Sequence, residues 1–387
     1  MKEGEIAAIF NKFSQTYIKS HNPPTHLLKV INAITKCRTK ALGGHKEKCN
    51  RCGYNKISYN SCRNRHCPKC QNYTREKWLI KRKEELINTV YYHVVFTIPN
   101  RLNDLALLNQ KVIYTMLFKA TSETLLELAL DRKHLGGRIG VMAILHTWGQ
   151  TLSIHPHIHC VVTGGGLSID GKRWVFPKKS RKKKKFFIHV NIISDLFKKK
   201  FLFYLKDAYK KETLKFSGKI YSLSVKETFN HFLTELYDKK WVTYCKRPFG
   251  GTEKIIDYLG RYTHKIAITD NRITKVVQDR IHFSYRDYRD HEKVKQTSLS
   301  TLDFIHKFLY HVLPPQFFKI RYYGLLSSKN KKCSLTRCRE LLGEVKKVVK
   351  YETIREWLLH ITGVDPAICP RCKIGLLGIV EHLLPET

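Results

Sequence analysis

The sequence predicts an α+β fold: a central antiparallel sheet flanked by helices, preceded by a helical and cysteine-knuckle segment and followed by a mostly helical tail. Three observations predict it. Apolar, strand-like runs at 91–98, 140–152 and from His155 onward are punctuated by Pro99, Gly149 and Pro156. The stretch 105–130 between the first and second of these runs has helical apolar spacing, so strand, helix and hairpin follow in order. The cysteines fall in short CxxC pairs near the N-terminus, apart from the strand-rich region.

In chain order, 5–40 and 71–90 read as helices around the cysteine pairs. Residues 91–98 form an apolar strand stopped by Pro99, and 105–130 is a long amphipathic helix packed on one face of the sheet. The strand 140–152 turns through Ser153 to Pro156 into the histidine strand, closing an antiparallel hairpin near Ile154. Lys178 to Lys185 carries seven positive charges in eight residues, so it is a solvated loop or a phosphate-contacting arm. Residues 191–240 carry helical patterns, 251–262 is helical with Thr252 as a cap, and 265–285 resembles a hairpin turning at Asp270-Asn271. After Leu326 the chain is mostly helical. This divides it into an N-terminal domain at 1–90, a central domain at 91–327 and a tail at 328–387.

With 387 residues there is room for a substantial core. Lys and Arg total 71 against 32 acidic residues, a formal net charge of +39, which points to polyanionic partners and above all to nucleic acid. Charge alone would equally suit a ribosomal or membrane-surface protein. The 11% aromatic content adds stacking platforms for unpaired bases, as in Phe283-Ser-Tyr-Arg-Asp-Tyr-Arg289, although such alternation also serves sheet packing. No apolar stretch is long enough to span a bilayer and no secretory leader is recognisable, so a soluble cytoplasmic protein is expected. In that compartment the 12 cysteines suit metal better than disulfides.

Cys49-Asn-Arg-Cys52 and Cys67-Pro-Lys-Cys70 are two knuckles that can each aim two thiolates at one tetrahedral Zn2+, a structural site with no open position. Cys62 and His66 leave a surplus: they replace part of the tetrad, or bind a second ion with His45. Cys369-Pro-Arg-Cys372 repeats the knuckle spacing without a second CxxC beside it. Cys333 and Cys338 could complete a distant tetrad, yet Cys338 sits in a helical run where a thiol is usually core. Cys37, Cys160 and Cys245 read as small buried hydrophobes.

His155-Pro-His-Ile-His159 carries the chemistry. On a strand His157 and His159 share a face while Ile158 points into the core, so two imidazoles can grip one cation. Scattered histidines would be ordinary polar residues; alternation beside a turn favours a metal. The hairpin partner should supply a third ligand, with Gln150 the first candidate and His146 further along the same face. Tyr258 and Tyr262 stand four apart and share one face of a helix. A tyrosine pair is ordinarily packing, but beside a divalent cation that polarises a phosphate a phenol becomes a competent nucleophile.

Five segments carry a resemblance covering nearly the whole chain: Ser58 to Cys70, His146 to Gln150, His155 to His159, Tyr258 to Ile268 and Arg321 to Leu326. The sequence resembles the rolling-circle transposases of the insertion sequence ninety-one family, two-tyrosine members of the HUH endonucleases. The resemblance implies an HUH-type nuclease fold, with Tyr258 or Tyr262 attacking single-stranded DNA at the element's end. The products would be a 5′-phosphotyrosine and a free 3′-hydroxyl, with Mg2+ or Mn2+ held by His157 and His159. The zinc module, with Arg63, Arg65, Lys69 and Arg75 on its surface, would recognise the element ends; Arg261 and Lys265 are further candidate DNA contacts beside the tyrosines. On DNA the protein would be nucleoid-associated. A plasmid replication initiator or relaxase-like nickase would use the same residues, and a non-catalytic zinc-bearing DNA-binding protein would use only the knuckles. A cut-and-paste transposase would need three clustered carboxylates, and no convincing trio is present.

Overall fold

The computed structural model describes residues 5–177, 188–246, 254–255, 258, 260, 267–288, 290–344 and 353–386. Its strands are β1 (Gly44–Cys49), β2 (Asn55–Tyr59), β3 (Tyr91–Thr97), β4 (Gly140–Trp148), β5 (Ile154–Thr163), β6 (Gly166–Leu167), β7 (Trp174–Val175), β8 (Thr243–Lys246), β9 (Ile273–Val277), β10 (Arg280–Asp287), β11 (Lys293–Ser300), β12 (Ile320–Gly324) and β13 (Leu377–Leu383). The helices are α1 (Ile6–His21), α2 (Thr25–Lys36), α3 (Pro68–Lys83), α4 (Asn103–Leu108), α5 (Gln110–Leu130), α6 (Val190–Lys210), α7 (Lys226–Asp238), α8 (Thr301–Tyr310), α9 (Lys331–Leu341) and α10 (Ile354–Thr362).

The α+β architecture is built on a five-stranded antiparallel sheet of order β12-β4-β5-β3-β8. The pleat sorts its side chains. Val141, Ala143 and Leu145, Ile158, Cys160 and Val162, and Val94 and Phe96 enter a core shared with Phe118 of α5 and Phe197 and Phe201 of α6. Each such large apolar side chain contributes roughly 1.5–3 kcal/mol on burial. On the opposite face Met142, Ile144 and Val161 meet Leu79 of α3 and Leu335 of α9. Helices therefore lie on both faces, not on one as the sequence suggested. The eight consecutive buried residues of β4 require it, because a strand covered on both faces loses the alternation that marks a one-sided sheet.

The predicted helix 105–130 is broken at Asn109. The side chain of Asn109 donates to the Lys215 carbonyl (2.9 Å) and accepts from the Lys215 amide (2.7 Å), which fixes a kink between α4 and α5. Pinched between the sheet and α6, α5 buries residues around much of its circumference, Ile113, Met116, Leu117, Phe118 and Ala120 among them, rather than along one stripe.

A second antiparallel sheet, β11-β10-β9, packs with α8 against the N-terminal helices. Phe10 of α1 meets Phe308 edge-on at 5.2 Å, and the Ile6 amide donates to Asp270 Oδ1 at 2.8 Å. The β9–β10 hairpin turns at Gln278-Asp279, with Gln278 left-handed (φ 52°), and not at Asp270-Asn271. Those two residues instead form a short 3-10 turn whose Asp270 carboxylate receives α1.

The tail is helical only in part. β13 pairs antiparallel with β1, which also pairs with β2, so residues from 377–383 complete a sheet begun near residue 44. Among the described residues no helix is long and apolar enough to cross a membrane.

Candidate active site

The hairpin of β4 and β5 sets His146 directly opposite His157, with Ile144 opposite His159. The imidazoles of His146, His157 and His159 thus share one face, and their candidate ligand nitrogens lie within 4.8 Å of one another. Gln150, the expected third ligand, lies past the register shift that follows His146 and outside the paired strands; its amide reaches the Tyr288 hydroxyl at 3.5 Å. The strand ends at Trp148, four residues earlier than expected, because Gly149 and Ser153 close the turn (2.8 Å) around a left-handed Leu152 (φ 62°). Leu152 is buried among the N-terminal helices, the second sheet and α8, and its carbonyl meets His311 Nε2 at 3.2 Å.

Hydrogen bonds orient these rings. His157 Nδ1 donates to the His155 carbonyl at 2.6 Å, which leaves Nε2 as the candidate ligand atom. Burial, reinforced by His155, pushes the His157 pKa down to about 3, so the ring is neutral and able to ligate at physiological pH. His146 stacks on Trp148, centroids 4.7 Å apart.

Tyr258 is buried against this triad. Its hydroxyl lies 2.9 Å from His159 Nδ1 and 2.5 Å from Nε2 of His93, and the two imidazole nitrogens are themselves 2.9 Å apart. His93, on β3, faces Val161 across the sheet, two residues along from His159. Sequence reasoning missed it. The signal was present, since pairing the predicted strand 91–98 with the histidine strand puts a third strand's histidine on the ligand face. Tyr262, Arg261 and Lys265 lie outside the described residues.

The knuckles do not form the expected tetrad of Cys49, Cys52, Cys67 and Cys70. Cys67 and Cys70, at the start of α3, converge with Cys62 and with Cys37 at the end of α2; Cys70 Sγ lies 3.5 Å from Cys37 and 3.6 Å from Cys62. Cys37, read as core, is thus a candidate ligand, and Cys62 replaces part of the expected tetrad, one of the two alternatives the sequence left open. Cys49 and Cys52 converge instead with Cys369 and Cys372. The reason is topological: Cys49 and Cys52 sit at the turn of the β1–β2 hairpin, whereas Cys37 precedes the hairpin and Cys62, Cys67 and Cys70 follow it, and the pairing of β13 with β1 brings the distant knuckle in. His66 belongs to neither group, since its Nε2 accepts the Leu313 amide at 3.2 Å. Cys338 is core, as read, and Cys333 is exposed.

Of the candidate DNA contacts, Arg65 gives its guanidinium to the main-chain carbonyls of Leu313, Pro314 and Phe317, at 3.3, 2.8 and 2.5 Å. It ties the knuckle to the approach of β12, a structural task. Lys69 pairs with Glu5 at 3.1 Å and Arg75 with Glu76 at 2.5 Å, whereas Arg63 is exposed.

Comparison with known proteins defines the class. Residues 140–333, which contain the histidine triad and Tyr258, match the family described as "Putative transposase". Residues 9–98 match the "Transposase zinc-binding domain". The protein is a transposase with a zinc-binding domain, an enzyme of DNA transposition whose partner is DNA. It is 41% identical to "Putative transposase y4qJ" of Sinorhizobium fredii, over 97% of this chain and 95% of that protein. It is 25% identical to "Transposase for insertion sequence element IS801" of Pseudomonas savastanoi pv. phaseolicola, over 78% of this chain and 70% of that protein. The chain belongs to the insertion sequence ninety-one transposase family. No solved structure matches it.

Proposed function

We propose that the protein is an HUH-type tyrosine transposase that cleaves and rejoins single-stranded DNA through Tyr258, in rolling-circle-like transposition. The observation that carries this reading is the Tyr258 hydroxyl held between His93 and His159 at the edge of the His146, His157 and His159 triad. A divalent cation held by those three imidazoles would neutralise the non-bridging oxygens of the scissile phosphate. Three nitrogen donors suit Mn2+ better than Mg2+.

The hydrogen bonds around Tyr258 support one proton path. With His159 offering Nε2 to a cation, its Nδ1 carries the proton and donates to the Tyr258 oxygen. The Tyr258 hydroxyl then donates to Nε2 of His93. As the phenol oxygen bonds to phosphorus, its proton passes to His93 and the P–O3′ bond breaks. The products are a 5′-phosphotyrosine and a 3′-oxygen that takes up a proton to become the free hydroxyl. Tyr262 is the candidate for a second transfer. A structural Zn2+ in the zinc-binding domain, with Cys37, Cys62, Cys67 and Cys70 as ligands, would fix α2 and α3 to each other.

The test is incubation of the purified protein with labelled single-stranded DNA from the ends of its own locus, with Mn2+ or EDTA, read on a denaturing protein gel. A metal-dependent covalent adduct that disappears in Tyr258→Phe and in His157→Ala is expected. Tight DNA binding with no adduct under any divalent cation would overturn the nuclease reading in favour of a binding protein.

A further inference from the structure

The segment 369–383 lies more than three hundred positions from β1 in the chain yet is joined to it by two devices, a strand pairing and a group of four cysteines. The loops that carry these cysteines are built alike. In Cys49-Asn-Arg-Cys52-Gly53 the Gly53 amide donates to the Cys49 carbonyl (3.2 Å), and Gly53 is left-handed (φ 69°). In Cys369-Pro-Arg-Cys372-Lys373 the Lys373 amide donates to the Cys369 carbonyl (2.9 Å), and Lys373 is left-handed too (φ 58°). Main-chain amides point into sulfur in both: Arg51 and Cys52 donate to Cys49 Sγ, and Gly375 to Cys372 Sγ at 3.3 Å. Such donors stabilise thiolates rather than thiols.

The sulfurs of the two loops interleave, with Cys49 and Cys372 3.8 Å apart and Cys52 and Cys369 3.7 Å apart. A tetrahedral ion with Zn–S bonds of about 2.3 Å puts its sulfurs about 3.8 Å from one another, whereas a disulfide needs about 2.05 Å. Around the group the backbone has been cleared: a Cβ on Gly375 would sit 2.5 Å from Cys49 Sγ, so no side chain fits there. Asn50 then stitches the loops together, its amide donating to the Leu376 carbonyl (3.1 Å) and its Oδ1 accepting the Leu376 amide (2.9 Å). The net charge of four thiolates and one Zn2+ is offset by the exposed Arg51, Arg371 and Lys373 on the same loops.

We infer that Cys49, Cys52, Cys369 and Cys372 bind a second Zn2+, which clasps β13 onto the zinc-binding domain. β13 is largely exposed, so apolar burial does little to hold it. Closing so long a loop costs entropy that the few hydrogen bonds of one exposed strand offset poorly. The metal supplies the missing stabilisation, and the domain is complete only when 369–383 has joined it. This inference is independent of the nuclease reading.

The experiment uses the full chain, purified anaerobically. Zinc release is followed while a mercurial reagent titrates the thiolates, a readout to which the histidine triad contributes no thiolate. Release of about two thiolate-bound zinc ions per chain, complete only after about eight equivalents, is expected. One zinc ion released by about four equivalents would overturn the inference. In Cys369→Ser with Cys372→Ser, the thiolate-to-metal charge-transfer absorption of the Co2+-substituted protein should fall by about half, and trypsin should cut within 369–383. Unchanged absorption in that variant would equally refute the clasp. If the variant precipitates, the wild-type titration decides by itself.

Discussion

The hydroxyl of Tyr258 lies 2.5 Å from Nε2 of His93, although the two residues are 165 positions apart in sequence. The contact joins the tyrosine to the sheet face that carries the histidine triad, and in the proposed mechanism it gives the phenol a proton acceptor outside the three candidate metal ligands. A phenol with an ordinary pKa of about 10 is a poor nucleophile at neutral pH unless its proton has somewhere to go.

Replacing His93 by Ala should therefore slow adduct formation by about 100- to 10,000-fold while DNA affinity changes little. His93→Gln, which keeps a hydrogen-bonding group without basicity, should be nearly as slow near neutrality and recover as rising pH lets hydroxide take the phenol proton. Single-turnover rates across pH check this; equal rates in His93→Gln and wild type would remove His93 from the proton path.

The register of the hairpin makes a second prediction. His146→Ala should raise the Mn2+ concentration needed for half-maximal cleavage by at least about tenfold, because one of the three candidate ligand nitrogens is lost. Gln150→Ala should leave it within about twofold, since that amide bonds Tyr288. Metal titrations of the two variants decide which residue is the ligand, and a larger effect at Gln150 would restore the assignment made from sequence.

The buried tetrad should tie folding to metal. Cys37 and Cys67 are almost inaccessible and unite α2 with α3 beneath α1, so Cys67→Ser should leave the N-terminal helices molten. Far-UV circular dichroism should show lost helix, and DNA affinity should fall at least about tenfold. Retention of the wild-type spectrum with no zinc bound would mean that the apolar core alone suffices.

His311 makes stability pH-dependent. Enclosed by Thr147 and the Leu152 carbonyl, it is desolvated, and its pKa falls from the ordinary 6.5 to about 4. The unfolded chain therefore binds the proton first. Stability is full above about pH 6.5 and is lost as the pH falls towards 4, by about 2 kcal/mol between pH 7 and pH 5 from this residue. Zinc sites also weaken in acid, so the check is the difference in urea midpoints between wild type and His311→Asn. A variant whose midpoint falls as steeply as wild type would exclude His311.

What the sequence determined by itself is local. The apolar run from Tyr91 to Ile98 and the alternation in His155 to His159 wrote the strands, and the period of two placed His157 and His159 on one face with Ile158 in the core. The CxxC spacing wrote the knuckles, because two thiolates three positions apart can reach one ion whatever surrounds them. Pairing was decided only by the tertiary structure. The end of β4 at Trp148, four residues short of the reading from sequence, exchanged Gln150 for His146, and the packing of β3 beside β5 brought His93 to Tyr258. The pairing of β13 with β1 sent each N-terminal knuckle to a different set of partners. Spacing limits which neighbours can share a ligand, but the distant partner is chosen by the free energy of the whole sheet, and no single segment carries that information.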